Sequence, residues 1–269
     1  MKGAGRAFLA PAFATVAIDL RRALLGRRGV PLLVLGCLAP LLMAVVGHVQ
    51  KPQTDGPLIS EYAGMFRYPF VCGSLFFGTG WCFSNLFRGE ILERSLHYFF
   101  LTPARRDALT LGKYMTGVLA TWMVFVPSVV LSYVFLFAQG GPAAVAYLRS
   151  GSGIALLLQY VGITLLGCAA YGAVFLALGL VARSPFVPIV FAFFFERLSD
   201  LLPTILKRLT VGHYLSSLMP VPAPTGPFAL LAEPESTAVA ILLPLVLSAA
   251  VVCLAARRVR RMEISYGVD

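Results

Sequence analysis

Residues 87–113 read FRGEILERSLHYFFLTPARRDALTLGK, the longest polar interruption between two strongly apolar segments in the first half of the chain. At helical spacing Glu90, Glu93, Arg94 and His97 fall at i, i+3, i+4 and i+7 on one face, while Ile91, Leu92, Leu96, Phe99 and Phe100 cover the other. That pattern predicts an amphipathic helix over about 88–101. Glu90 and Arg94 form an i,i+4 pair in the favourable order, worth only about 0.2–0.5 kcal/mol. Thr102-Pro103 ends the run: the residue before a proline avoids the α region, and Thr-Pro suits the N-cap and first position of a new helix. The chain is thus expected to leave a membrane, lie along its surface, break and re-enter. Two readings fit this spacing equally: a charged platform for a soluble partner, or an interfacial helix that only covers lipid headgroups.

The flanks decide the membrane. Of 269 residues, 58% are hydrophobic and 13% charged, against about 25% charged in a soluble domain. Six segments, at about 30–49, 65–87, 109–138, 153–182, 186–206 and 238–256, approach the roughly 20 apolar residues a crossing needs. The expected fold is all-α, one transmembrane domain over 1–269 with six helices. An interfacial helix at about 6–28, with Phe13, Val16, Leu20 and Leu24 as its apolar stripe and Asp19 off it, precedes the first crossing. A cleaved signal peptide fits less well, because no small-x-small site follows an apolar run. Gln50 to Gly64 reads as a Pro/Gly-bearing outer loop. Gln139-Gly140-Gly141-Pro142 reads as a turn. A Pro/Gly-rich segment at about 207–236 is too irregular to cross lipid alone, so outer-surface or re-entrant pieces are expected there.

The net charge of +10 invites a nucleic-acid partner, but its distribution argues otherwise. With the N-terminus inside, 16 of the 22 Lys and Arg fall on inner segments and 6 on outer ones. The positive-inside rule accounts for that bias with no polyanion beyond anionic lipid. Both termini are then cytoplasmic and the chain is multi-pass in the inner membrane. Cys37, Cys72, Cys82, Cys168 and Cys253 sit in apolar segments without CxxC spacing, and are expected to be buried small hydrophobes. His48, His97 and His213 lie far apart without ligand spacing, so no metal site is expected.

Catalytic signatures are missing. No GxxxxGK[ST], HExxH, GxSxG or Rossmann fingerprint occurs, so the chain carries no nucleotide-hydrolysing loop of its own. Gly151-Ser152-Gly153 reads as the turn into a helix, since no His or Lys nearby would activate the serine. The unusual group is Glu196, Arg197 and Asp200, which follows PFVPIVFAFFF in the fifth segment. At 1.5 Å per residue, Glu196 lies roughly 15 Å from the inner turn at 183–185, near mid-bilayer in a continuous helix. Ionisable groups at that depth usually face a bundle interior or a cavity. A helix that surfaces early, leaving them at the outer interface, is the other reading.

The stretch at 87–113 resembles permease subunits of ABC transporters of the type-2 exporter class (ABC-2). The likeness rests on Glu90 and Glu93 in the surface helix, the Leu101-Thr102-Pro103 stop, the basic pair Arg105-Arg106, and Gly112-Lys113 opening the third helix. Phe99-Phe100 stands where the family more often has an aliphatic pair. A weaker likeness lies in FFFERLSDLLPTILKRLTVGHYLSSL at 193–218. The resemblance implies a half-transporter without its motor. Two permeases, identical or related, would form the pathway. Separate P-loop subunits, which bind ATP and Mg, would dock on Glu90, Glu93, Arg94, His97, Phe100, Arg105 and Arg106 of the coupling helix. Glu196, Arg197 and Asp200 would face the pathway or the dimer seam. No cofactor is expected in this chain, and no enzymatic activity of its own. An intramembrane enzyme using Glu196, Arg197 and Asp200 and an ion-coupled secondary transporter are the competing classes. The latter usually shows internal repeats, and none is visible here.

Overall fold

The computed structural model describes residues 16, 19–27, 29–50, 55–92, 106–182, 184, 186–199, 208–221 and 235–261. Among these the chain is helical, without strands. The elements are α1 (Val30–Gln50), α2 (Asp55–Met65), a π-helix (Phe66–Leu75), α3 (Phe76–Leu92), α4 (Arg106–Gln139), α5 (Pro142–Arg149), α6 (Gly151–Val181), α7 (Phe186–Ser199), α8 (Val211–Ser217) and α9 (Thr237–Arg261). Residues 19–25 are also helical. Among the described residues four helices are long and apolar enough to cross a membrane: Val30–His48, Leu109–Gln139, Gly151–Val181 and Thr237–Val259. They match the first, third, fourth and sixth expected segments closely.

The second segment differs. The expected outer loop at 50–64 is helical from Asp55, and α2, the π-helix and α3 follow one another without interruption to Leu92. Asp55-Gly56-Pro57 reads as a loop in sequence. Yet an acidic residue suits the positive end of a helix, and proline is tolerated in a first turn. What holds α2 in place is aromatic. Tyr62 stacks edge-on against Tyr133 at 5.1 Å and Tyr160 at 4.9 Å. Its hydroxyl donates to the Val129 carbonyl at 3.3 Å and lies 3.3 Å from Ser132 Oγ. The π-helix carries Pro69 and turns Phe66, Phe70, Val71 and Leu75 inward. Its wider winding ends where the Phe76 N–H points to the carbonyls of Val71 and Gly73.

The fifth segment is short of a crossing. α7 has 14 residues, about 21 Å at helical rise against a hydrocarbon core of about 30 Å. Within the irregular stretch that follows, Val211–Ser217 forms α8. The turn at 139–142 is present as expected, with Gly141 at φ 93° and Pro142 opening the additional helix α5. Ser150 then caps α6, its Oγ accepting the Gly153 N–H at 3.1 Å.

α6 is the central helix, packed by α3, α4 and α9, with α7 and α8 on its flank. Small residues bring the backbones close. The Phe83 ring of α3 sits in a slot between Gly117 of α4 and Gly172 of α6. A Cβ at Gly117 would meet the ring at 2.5 Å. Gly179 of α6 lies against Ser84, and Gly167 against Leu215 of α8. Gly162, by contrast, faces open space. Two cysteines also depart from expectation: Cys82 and Cys168 are buried, but Cys37 and Cys253 are exposed on the flank of the bundle.

α1 and α4 show how a proline is accommodated in such a bundle. Pro40 has no N–H, so the Gly36 carbonyl one turn back loses its helical donor. Ser128 of α4 supplies the replacement, its Oγ donating to the Gly36 carbonyl at 2.5 Å. The Ser128→Ala variant removes that donor and is expected to cost about 1–3 kcal/mol. Adding Pro40→Ala restores a helical N–H and should recover most of the loss. Thermal unfolding midpoints in detergent check this. A double variant no more stable than Ser128→Ala alone would contradict the pairing.

Candidate functional site

Among the described residues, two centres built on a charged side chain stand out within the apolar interior. The first is Lys113, one of the largest fully buried side chains, at 0% exposure. It sits on α4 seven residues past Arg106, about 10 Å into the helix. Its Nζ donates to the Leu86 carbonyl of α3 at 3.2 Å and lies 3.5 Å from Asp19 Oδ2 in the N-terminal helical stretch. Asp19 is itself buried, at 5%. A buried ammonium needs a partner charge and further acceptors to offset its desolvation. Here the two contacts also tie three elements, the N-terminal stretch, α3 and α4, to one point. Sequence reading placed Asp19 on the polar side of an interfacial helix. Its burial had no local signal, because its partner lies 94 residues away.

This ion pair lies just inside the place where the 93–105 segment joins the bundle. Of the residues expected to dock a partner, Glu90 has its backbone in α3, which runs unbroken through Leu92, and Arg106 opens α4. Glu93, Arg94, His97, Phe100 and Arg105 lie outside the described residues.

The second centre is Glu196, near the end of α7. Its Oε1 accepts the Tyr171 hydroxyl of α6 at 2.7 Å and the Gly212 N–H of α8 at 2.6 Å. Thr210, the N-cap residue of α8, makes no side-chain cap. The carboxylate of Glu196 therefore does the capping from another helix, where negative charge also meets the positive end of the helix dipole. Tyr171 stands ten residues before the end of α6 at Val181, so the contact lies roughly 15 Å along that helix from its end. α8 continues towards the opposite end of α6: Leu215 reaches Gly167, and the Leu218 carbonyl accepts from Gln159 at 3.1 Å. The Arg197 side chain and Asp200 lie outside the described residues.

Beside Glu196 opens a cavity of about 240 Å³, walled by Phe76, Tyr171, Phe175, Phe191, Ala192 and Thr210 among others. Nearly all of the lining is apolar, and among the described residues Glu196 is its one carboxylate. No cluster of three or more His, Cys, Asp or Glu that could hold a metal occurs among the described residues. The sequence drew attention to Glu196 by its cost in lipid. It did not disclose Tyr171 or Gly212, because neither an isolated tyrosine nor a glycine in a polar loop stands out.

A family model described as ABC-2 family transporter protein matches residues 26–199, well over half of the chain. The chain belongs to the ABC-2 transporter family. No curated protein and no solved structure matches it. The matched range contains α1 to α7 and both polar centres save Asp19 and α8. Membership generally implies pairing of this ABC-2 protein with an ATP-binding ABC subunit.

The Lys113 junction makes a quantitative prediction for the ABC-2 chain. Lys113→Met leaves Asp19 buried without its cation and is expected to cost about 3–5 kcal/mol. Asp19→Asn with Lys113→Met together should be much less destabilising than the sum of the single changes. A double-mutant cycle from thermal or denaturant unfolding measures this. Additive losses would mean that the two groups do not interact.

Proposed function

We propose that this chain is the permease subunit of an ATP-driven exporter. It crosses the inner membrane six times, pairs with a second copy or a related permease, and is driven by separate subunits that bind ATP and Mg. The family match over residues 26–199 carries the reading. Four membrane-length helices are consistent with it. The second crossing is then the composite helix Asp55–Leu92. The fifth is made jointly by α7 and the segment that contains α8.

In this reading the 88–101 helix seats in a groove of the ATP-binding subunit through Glu90, Glu93, Arg94, His97 and Phe100, with Arg105 and Arg106 beside it. Nucleotide binding draws the two motor subunits together. The pull reaches the bundle at the start of α4, where Lys113 fastens α3 and the N-terminal stretch. A two-state shift of near-rigid helices follows, powered by contacts that differ between the states. Glu196, with Arg197 and Asp200, faces the pathway or the dimer seam. An intramembrane enzyme would need a nucleophile and base within reach of one another. Tyr171 and the Glu196 carboxylate do lie within hydrogen-bond reach at 2.7 Å, so what favours the permease over that class is the family match over residues 26–199.

Charge reversal tests the docking face. Glu93→Lys should leave the permease inserted and dimeric while ATP turnover of the assembled complex falls at least to the rate of the ATP-binding subunit alone. A correctly inserted Glu93→Lys complex with normal turnover would overturn the assignment. Orientation is tested separately, in a background without the native cysteines. Cysteine at Ala143, an exposed residue of α5, should react with an impermeant reagent from outside the cell, and cysteine at Arg258 should not. The opposite pattern would invert the topology.

A further inference from the structure

Asp19 turns one side of the N-terminal helical stretch into the bundle and leaves the other side facing outward. At 3.6 residues per turn Arg21, Arg22 and Leu25 fall within an arc of about 100°, with Leu25 between the two arginines. All three are exposed, Leu25 at 78%. Leu20, Ala23 and Leu24 pack against the core, and Asp19 meets Lys113. The Gly26 N–H donates to the Arg22 carbonyl at 3.0 Å, and the Gly29 N–H donates to the Gly26 carbonyl at 2.8 Å as the chain turns into α1. Arg27, in that turn, is exposed too.

The height of this face is fixed at both ends. Val30 opens the membrane-length span Val30–His48. Lys113 follows Leu109, the first residue of the span Leu109–Gln139, by about 6 Å of helical rise. α1 and α4 run parallel, with Gly36 beside Ser128 and Gly47 beside Gln139, so both spans begin at the same surface. Residues 19–27 therefore lie where headgroups meet acyl chains.

At that level a bilayer satisfies the whole face at once. Leu25 enters the acyl boundary, while the guanidinium groups stay level with the phosphates and bind them through paired N–H donors. Charge selects the headgroup. Asp19 is the one acidic residue among residues 1–54, and it is engaged by Lys113. Among the described residues no ion pair involves Arg21, Arg22 or Arg27. A zwitterionic lipid already carries a cation beside its phosphate, so a face of this sign favours a lipid that does not. We propose that Arg21, Arg22 and Leu25, with Arg27, form a docking surface for anionic phospholipid, and that lipid held there braces the Asp19–Lys113 junction. The proposal goes beyond the permease reading and does not depend on it.

The test places a bimane label on Leu25→Cys, in the full chain without its native cysteines. The protein is held in phosphatidylcholine nanodiscs, without nucleotide or ATP-binding subunit. A minor fraction of the lipid carries a nitroxide high on its acyl chain and is either phosphatidylglycerol or phosphatidylcholine. The phosphatidylglycerol should quench the label half-maximally at roughly fivefold lower mole fraction, the factor expected for one arginine at a charged surface. The preference should weaken as salt is raised and disappear in Arg21→Gln with Arg22→Gln. In the chain with its native residues, phosphatidylglycerol should raise the thermal unfolding midpoint, as a ligand of the folded state does. That rise should shrink in the double arginine variant. Equal quenching by the two lipids, or a rise undiminished in the double variant, would overturn the proposal. So would a label that neither lipid quenches, the result expected if a soluble partner or the 88–101 segment covers this face. Leu25 is exposed, so its replacement leaves the core intact and the lipid comparison decides the matter even where the arginine variant fails to fold. A failure here leaves the ATP-driven permease reading intact, and failed ATP coupling leaves the lipid surface intact.

Discussion

Within a bilayer, a peptide group that loses its helical partner finds no water to replace it, so the protein must supply the replacement. Much of this architecture follows from that constraint. Where Pro40 frees the Gly36 carbonyl, Ser128 reaches across from α4. Where α8 begins deep in the bundle, Glu196 reaches from α7 to its Gly212 N–H. Each repair is made by a side chain from a different helix, so each also joins two elements. The same groups that make irregular backbone tolerable fix the relative positions of the helices. An ordinary apolar packing contact, being non-directional, would fix them less well.

Buried charge in the bundle follows the same logic at higher cost. Lys113 and Asp19 lie together and the ammonium also reaches the Leu86 carbonyl. Removing either partner strands the other, whereas removing both is cheap by comparison. Such a pair contributes little net stability but defines one arrangement of the N-terminal stretch, α3 and α4. That arrangement lies where an ATP-binding subunit would pull. At Tyr171 of α6, Glu196 joins α7 to α8. The Phe83 ring locks α3 to both α4 and α6 through two glycines. In the proposed coupling, a force applied at the loop end of α3 and α4 would pass to the central helix through these contacts.

Legibility from sequence followed the length of the signal. α1, α4, α6 and α9 are long apolar runs, and their positions were readable to within a few residues. The helical start at Asp55 was not, because Asp-Gly-Pro is a turn signature and only the distant Tyr133, Tyr160 and Val129 make a helix the better use of those residues. A π-helix leaves no periodic mark that distinguishes it from a helix disturbed by Pro69. Glu196 was legible as an expense that needed an explanation, while the helical rise alone left two depths open, mid-bilayer and the outer interface. Its partners belong to tertiary structure. Asp19 was misplaced for the same reason: local spacing put it among solvated charges, and a lysine 94 residues away buries it. The surface helix that first suggested the family was read from residues 88–101, most of which lie beyond the described chain.

In the proposed function this ABC-2 protein moves its cargo only when a separate ATP-binding subunit works on it. The direct measurement is ATP turnover of the chain isolated from its own membrane at native abundance into lipid nanodiscs. A co-isolated P-loop subunit is quantified alongside. The account predicts an equimolar P-loop subunit, with hydrolysis that disappears when the catalytic lysine of that subunit is replaced and that is absent from the permease alone. A functional preparation that contains no P-loop subunit, and in which an imposed proton or sodium gradient alone drives solute movement, would contradict it.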